Sequence, residues 1–218
     1  MPRHNPHRRR ELADAAIALL AAEGIHGLTH RAVDRATALP SGTASNYFRS
    51  RDELLVAAAE RVVDLHLADM ARIDDATDVA ASAEPLVDAI AASLLDAVGP
   101  SRERYLAIFE LQLEARRRPH LATALAGLEG SSLAATAQEH AALGLDTAPE
   151  TIANLVVLYS GALFCLVSAP HPPDAATVRH LARSIVHGAA ATPTPGGHRD
   201  DGSVPVPPTR GSEDPPKK

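Results

Sequence analysis

Lysine is almost missing from this 218-residue chain: only Lys217 and Lys218, its last two residues, carry it. A phosphate-cradling loop of the Gly-x-x-x-x-Gly-Lys-(Ser/Thr) type needs a lysine beside the phosphates, so that route to nucleotide chemistry is closed. Cysteine occurs once, as Cys165. No internal disulfide can form, which fits a reducing, cytoplasmic setting, and a single thiol inside an apolar run is expected to be buried and inert. Neither Gly-x-Ser-x-Gly nor His-Glu-x-x-His occurs, so the common hydrolase and zinc-protease arrangements are excluded. The 11 histidines are scattered; His180 and His187 share a helix face but have no third ligand. The expectation is no enzyme, no catalytic residue, no metal and no cofactor.

Aromatic residues make up 3% of the chain and tryptophan is absent. With Ala and Leu abundant, this composition favours helix over sheet. Charge is unevenly spread. Residues 1–51 hold eight arginines and four acids, a balance of +4, so the remainder carries −10 of the overall −6. A basic head on an acidic body points to one region that meets a polyanion.

Long apolar runs are few. "RRRELADAAIALLAA" is interrupted by Glu11 and Asp14, unlike a signal peptide. Ile152–Ala169 is uncharged over 18 residues, the lower limit for a bilayer span. Asn154, Ser160, Gly161 and Ser168 dilute it, and it reads as a helix at a protein–protein interface, with no membrane partner.

Periodicity and breaker residues then divide the chain into helices. Residues 1–7 form a basic arm. Arg8–Glu23 carries a stripe of Leu12, Ala16, Leu19 and Leu20, stopped by Gly24. Thr29 caps a short helix from His30 to about Thr37, Leu39-Pro40 breaks the chain, and Ser41–Phe48 forms a third helix. Ser50 opens a fourth with a reciprocal Ser50/Glu53 capping box, running to about Asp74. Helices follow over Glu84–Val98, Ser101–Arg117, Pro119–Leu143, Thr147–Ser168 (with a second capping box, "TAPE") and Asp174–Ala190. From Ala191 the chain holds 7 of its 17 prolines and is expected to be a disordered tail. The fold class is all-α, with a head over 8–56, a helical body over 57–190 and a tail over 191–218.

The segment "GLTHRAVDRATALPSGTASNYFRSRDELL", Gly27 to Leu55, carries the chemistry. Two short helices joined by a tight turn, after a longer one, fit a helix-turn-helix whose last helix enters the major groove. At about 100° per residue, Ala44 and Phe48 share a face that packs on the Leu12/Leu19/Leu20 stripe. The opposite face shows small hydrogen-bonding groups, as a helix seated in a groove of about 12 Å requires. Thr43 and Tyr47 bring hydroxyls to phosphates, and Arg51 adds charge at a helix N-terminus. Arg31 suits a guanine edge and Asn46 an adenine edge; Ser41 and Ser45 suit either base. Arg3, Arg8, Arg9 and Arg10 can follow the backbone or enter the minor groove.

This segment closely resembles the DNA-binding region of the TetR family of bacterial transcriptional regulators. The matching residues are Gly27-Leu28-Thr29, Gly42-Thr43, Tyr47-Phe48 and Ser50-Arg51-Asp52-Glu53-Leu54-Leu55, with Ala15-Ala16 and Gly24 upstream. The resemblance implies an all-helical homodimer with an effector-binding body, usually a repressor released from a double-stranded operator by a small molecule. Carried over by position, Arg31, Ser41, Gly42, Ser45 and Asn46 fall where the family contacts bases, and Thr43, Tyr47 and Arg51 where it contacts phosphate. Two departures stand out: Pro40 replaces a frequent Ser or Thr cap, and Ser45 replaces a frequent aromatic. A helical protein-interaction module that has lost DNA contact is therefore the alternative.

In the body, the apolar patterns of Ile152–Val167 and of Val178, Leu181 and Ile185 are broad for lone surface helices. Two helices from each subunit can form a four-helix dimer core, with Leu155, Leu158, Leu163, Leu166, Val178, Leu181 and Ile185 as its candidate residues. Phe109, Leu113 and Tyr159 are the candidates for the wall of an effector pocket.

Overall fold

The structure, a computed structural model, describes residues 5–76, 84–142 and 147–190. Among them every regular element is a helix. In chain order these are α1 (Pro6–Gly27), α2 (His30–Ala36), α3 (Thr43–Tyr47), α4 (Arg51–Ala76), α5 (Pro85–Val98), α6 (Arg102–Ala115), α7 (Pro119–Ala142), α8 (Pro149–Ser168) and α9 (Ala175–Ala190). The expected tail over 191–218 lies outside the described residues, as do Arg3 and Leu143.

The first helix starts two residues before the expected Arg8. The Asn5 side chain accepts from the amides of His7 at 3.0 Å and Arg8 at 3.3 Å, and Pro6 occupies the first helical position, where a missing N–H costs nothing. Arg8, Arg9 and Arg10 thus lie in the first turns of α1, and Pro6 and His7 of the expected arm join them. Leu12, Ala16 and Leu20 are fully buried, with Ile17 beside them, whereas Leu19 is half-buried. Gly24, with φ 66°, kinks the helix where the sequence places a stop, and a last turn runs on to Gly27.

Phe48, 1% exposed, belongs to the same buried cluster as Leu12, Leu20, Leu28, Val33, Leu54 and Leu55, all fully buried. Burying one such ring contributes roughly 1.5–3 kcal/mol, so Phe48 pins the short α3 to the head.

Two capping expectations need correction. Glu53 N–H donates to the Ser50 hydroxyl at 3.1 Å as expected, but the Glu53 carboxylate accepts from the Arg49 amide at 2.7 Å, not from Ser50. The carboxylate reaches one residue further back because the chain turns sharply between Phe48 and Arg51. At α8 the helix begins at Pro149 and the cap position is Ala148, without a side-chain cap bond, one residue after Thr147, where the sequence places the opening of the helix. At α9, Asp174 Oδ1 accepts from the Thr177 amide at 2.7 Å, and that bond holds the Asp174 carboxyl below its ordinary value.

The helix α6 lies between head and body: it packs on α1 on one side and on α7, α8 and α5 on the other. In the body α5, α8 and α9 pack together. Arg183 of α9 pairs bidentately with Glu84 (3.1 and 2.7 Å), and Arg179 pairs with Asp88. By length and composition alone α8 could cross a membrane; its sides pack on α9, α7 and α5.

Candidate nucleic-acid interface and effector cavity

The turn between α2 and α3 is built from α2's own end. Leu39 N–H donates to Asp34 O at 2.9 Å and Ala38 N–H to Arg35 O at 3.2 Å. This paired closure requires a left-handed residue at Ala38, whose φ is 52°. Gly42 is also left-handed, with φ 94°, a conformation that costs an L-residue roughly 1–2 kcal/mol.

Asp34 completes the turn. Only 3% exposed, its carboxylate accepts from the Gly42 amide and from the Ala44 amide, both at 2.7 Å. These are free N–H groups at the start of α3, which a Ser or Thr just before the helix would otherwise satisfy. At the far end His30 Nε2 donates to the Phe48 carbonyl at 2.8 Å. Thr29 accepts from the Ala32 amide at 3.1 Å, capping α2 as expected. Neither Asp34 nor His30 is legible as a constraint on α3, since their partners lie 10 and 18 residues away.

The helix α3 is shorter than the expected Ser41–Phe48: Ser41 lies in the turn before it and is exposed, as are Ser45 and Asn46 on its outer face, while Thr43 and Tyr47 are half-buried. The Thr43 hydroxyl donates to Pro40 O at 2.6 Å and the Ser45 hydroxyl to Gly42 O at 2.9 Å. Each would have to rotate to donate to nucleic acid. Gly42 offers only backbone, and its amide is taken by Asp34.

The arginines separate into two groups. Arg51 is turned inward: its guanidinium donates to the Leu28 carbonyl at 2.9 Å and to the Ile25 carbonyl. Arg8 pairs with Glu11 at 2.7 Å, and Arg9 lies over the Phe48 ring, 5.3 Å from its centre, and reaches Glu60 at 3.3 Å. By contrast Arg10, Arg31, Arg35 and Arg49 are exposed, and no side-chain hydrogen bond or ion pair engages their guanidinium groups among the described residues. Arg35 and Arg49 are additions to the candidates. Their signal in the sequence was position: Arg35 is one turn beyond Arg31 on α2, and Arg49 directly follows Phe48.

Head and body meet at the kink in α1. Glu110 Oε2 of α6 accepts from the Ile25 amide at 2.9 Å, and a Cβ at Gly24 would meet that carboxylate at ordinary contact distance, 3.4 Å. Arg118, just beyond α6, bridges Glu114 (2.6 Å) and Asp52 of α4. Arg118 holds the Glu114 carboxyl below its ordinary value, first through their hydrogen bond.

On the other side of α6 opens a cavity of about 560 Å³, lined by Phe109, Gln112, Leu113, Ala115, Arg116, Ala122, Leu125, Ala126 and Phe164. Phe109 and Phe164 meet edge to face, 5.1 Å between ring centres. Phe109 and Leu113 border this cavity. Tyr159 does not: its hydroxyl shares a 2.7 Å hydrogen bond with Ser93 of α5, and burial, reinforced by Tyr105, pushes its phenol well above the ordinary value. Phe164 takes its place in the wall. A second cavity of about 440 Å³ lies at the head–body junction, lined by Ile25, Glu110, Leu113, Glu114, Arg116 and Arg117.

The candidate dimer residues divide by burial. Leu155, Leu163, Val178 and Ile185 lie in the chain's own core at 0–7% exposure, so they offer no surface to a second copy; Leu166 and Leu181 are half-buried. Leu158 is exposed, as are Val157 (69%) and Phe164 (50%). Cys165 is also exposed, not buried as its apolar surroundings suggested. Thus α8 has two apolar faces: Leu155, Tyr159, Leu163 and Val167 point inward, and Val157, Leu158, Gly161, Phe164 and Cys165 outward. On α9, His180 and His187 are exposed.

Two family models match the chain. That of the bacterial regulatory proteins of the tetR family covers residues 12–58, and that of the tetracyclin repressor-like C-terminal domain covers residues 81–189. Among curated proteins none matches. Solved structures do. The multidrug binding protein EbrR complexed with imidazole is 29% identical, with a TM-score of 0.60 over 85% of this chain and 93% of that one. EbrR complexed with ethidium is 29% identical, with a TM-score of 0.58 over 82% and 98%. A TetR family member from Streptomyces coelicolor A3 is 27% identical, with a TM-score of 0.61 over 83% and 98%. With both its head and its body matched in order, the chain belongs to the TetR family, as a transcriptional regulator with a helix-turn-helix DNA-binding domain.

Proposed function

We propose that the protein is a homodimeric repressor that sits on a pseudo-palindromic operator and is released when a small molecule enters the cavity between α6, α7 and α8. The observation that carries the DNA part is the outer face of α3. The exposed Ser45 and Asn46 on it and Ser41 in the turn before it go with Arg31 and Arg35 on α2, exposed and unpaired among the described residues, a small polar ridge flanked by cations, as a major-groove reader needs. Arg31, Asn46, Ser41 and Ser45 read bases, with Gly42 allowing close backbone approach. Thr43, Tyr47, Arg10, Arg35 and Arg49 meet phosphate. Arg51 acts through the head's geometry, tying α4 to the carbonyls of Ile25 and Leu28.

The outward face of α8, centred on Val157, Leu158 and Phe164, supports pairing with a second copy, which would set two heads on one duplex. The cavity supports the ligand part, as does the likeness to EbrR, whose structures hold proflavin, ethidium and malachite green. A ligand that favours one spacing of the heads shifts affinity through a coupling of about 1–3 kcal/mol, or roughly 5–150-fold. The alternative, an interaction module without DNA contact, was motivated by Pro40; Asp34 removes that motive by supplying the helix cap from α2.

The test is selection of bound sequences from a random duplex pool with the purified protein. A two-fold symmetric site should emerge, and Arg31→Ala or Asn46→Ala should change which bases are preferred. Recovery of sequences with no common site, or preferences identical in both variants, refutes the reading.

A further inference from the structure

Among the described residues, the wall of the 560 Å³ cavity contains one charged side chain, the cation Arg116, and no acid. Arg116 is one of three consecutive arginines, and the other two have partners. Arg117 reaches Glu114 at 3.4 Å, while Arg118 takes Glu114 at 2.6 Å and also pairs with Asp52. Any preference of the α6 C-terminus for positive charge is met by those two as well. Arg116 has no side-chain hydrogen bond or ion pair among the described residues. It stands beside a wall that is apolar apart from Gln112 and includes the edge-to-face pair Phe109 and Phe164.

We propose that this cavity takes an aromatic carboxylate, with its rings against Phe109 and Phe164 and its carboxylate on the Arg116 guanidinium. The proposal deepens the ligand-released reading above and rests on it for its regulatory meaning only. A planar guanidinium pairs with a carboxylate through two parallel hydrogen bonds. An aromatic cation of the same size would meet Arg116 with like charge and find no acid to offset it among the described lining residues. The volume suits a molecule of this class, since small-ligand sites span roughly 300–1,000 Å³. Arg116 also borders the second cavity, against Glu110 and Glu114. A carboxylate that draws it toward the phenylalanines moves charge away from the carboxylate that holds the Ile25 amide.

Three probes share one bicyclic ring and differ in charge: 2-naphthoate, 2-naphthylmethanol and 2-naphthylmethylamine. Calorimetry on the full chain without DNA should find the carboxylate bound tighter than the alcohol by about ten- to a hundredfold, the range of a hydrogen bond to a charged group, and the amine weaker than the alcohol. Arg116→Gln should bring carboxylate and alcohol together, Arg116→Lys should keep part of the difference, and Arg117→Gln should keep all of it. Equal binding of the three probes, tighter binding of the amine, or an unchanged preference in Arg116→Gln overturns the proposal. DNA release is measured separately by gel shift. Arg116-dependent carboxylate binding that leaves the DNA complex intact upholds the site and refutes ligand release; release by amines alone does the reverse.

Discussion

Asp34 holds Gly42 from the opposite side of the turn: a carboxylate with 3% exposure accepts the Gly42 amide at 2.7 Å and, through its other oxygen, the Ala44 amide. The recognition helix is five residues long, too short to persist without outside support. Its N-terminus is therefore fixed by α2, and the two helices move as one body. Asp34→Ala leaves the buried Ala44 amide and the half-buried Gly42 amide without their acceptor, and a buried amide left so costs roughly 1–3 kcal/mol. Urea unfolding should show a loss of about 2–4 kcal/mol, and DNA binding should weaken on every sequence alike. A variant as stable as the parent, with intact sequence preference, would show that the cap is dispensable.

Arg51 and Arg49 lie two residues apart but have opposite surroundings. Arg51 spends its donors on Ile25 and Leu28, whereas the Arg49 side chain is unpaired among the described residues. A phosphate contact releases counterions, so its loss lowers the slope of log affinity against log salt by about 0.9. Arg49→Ala and Arg35→Ala should each flatten that slope by about one. Arg51→Ala should weaken binding and lower thermal stability while keeping the slope. A reduced slope in Arg51→Ala, measured by fluorescence anisotropy across salt concentrations, would return it to the phosphate contacts.

The sequence showed the head well because its signals are local. Thr29 before a short helix, Phe48 four residues after Ala44, and Ser50 three before Glu53 are spacings within one or two turns. What could not be read were bonds made by folding itself. Nothing near Asp34 says that its carboxylate will meet an amide ten residues on, and the inward turn of Arg51 depends on carbonyls exposed by the kink at Gly24. The body was harder for another reason. When a helix is apolar on two faces, periodicity cannot say which faces the chain's own core; Leu155 and Leu163 went inward, and Val157 and Phe164 outward.

That division of α8 makes a clean test of self-association. Val157 is 69% exposed, so Val157→Glu should leave the protomer folded. If the outer face of α8 is the dimer contact, it buries an unpaired charge there, and light scattering should show the dimer dissociation constant raised by about a hundredfold or more. Leu155→Ala removes a core side chain instead and should cost roughly 2–5 kcal/mol of stability, with assembly of the folded protein unchanged. A Val157→Glu protein that remains dimeric would move the interface elsewhere.

Ala38 is the one non-glycine residue with positive φ among the described residues. It occupies the left-handed position that closes α2, where glycine carries no Cβ penalty. Ala38→Gly should therefore raise stability by up to about 1 kcal/mol, the strain relieved being partly offset by greater freedom of the unfolded chain. A lower urea midpoint would mean that the Ala38 methyl contributes packing that outweighs its strain.

His66 on α4 gives the body a pH response whose sign is fixed by its surroundings. Burial lowers its pKa below the ordinary 6.5 and the Arg104 guanidinium lowers it further, against a smaller opposing pull from Asp69. The ring stands edge-on to Tyr105, 6.2 Å between centres. The folded state thus holds the neutral imidazole, and the unfolded chain binds more protons as pH falls below 6.5. The stability from keeping His66 neutral is fully present above the unfolded value and declines as pH drops from there toward the lower folded value. His66→Gln removes the titration while keeping a polar side chain of similar reach. Denaturation midpoints measured between pH 7.5 and about 5 should fall less steeply in the variant than in the parent. Parallel curves would assign the acid sensitivity of the fold to other groups.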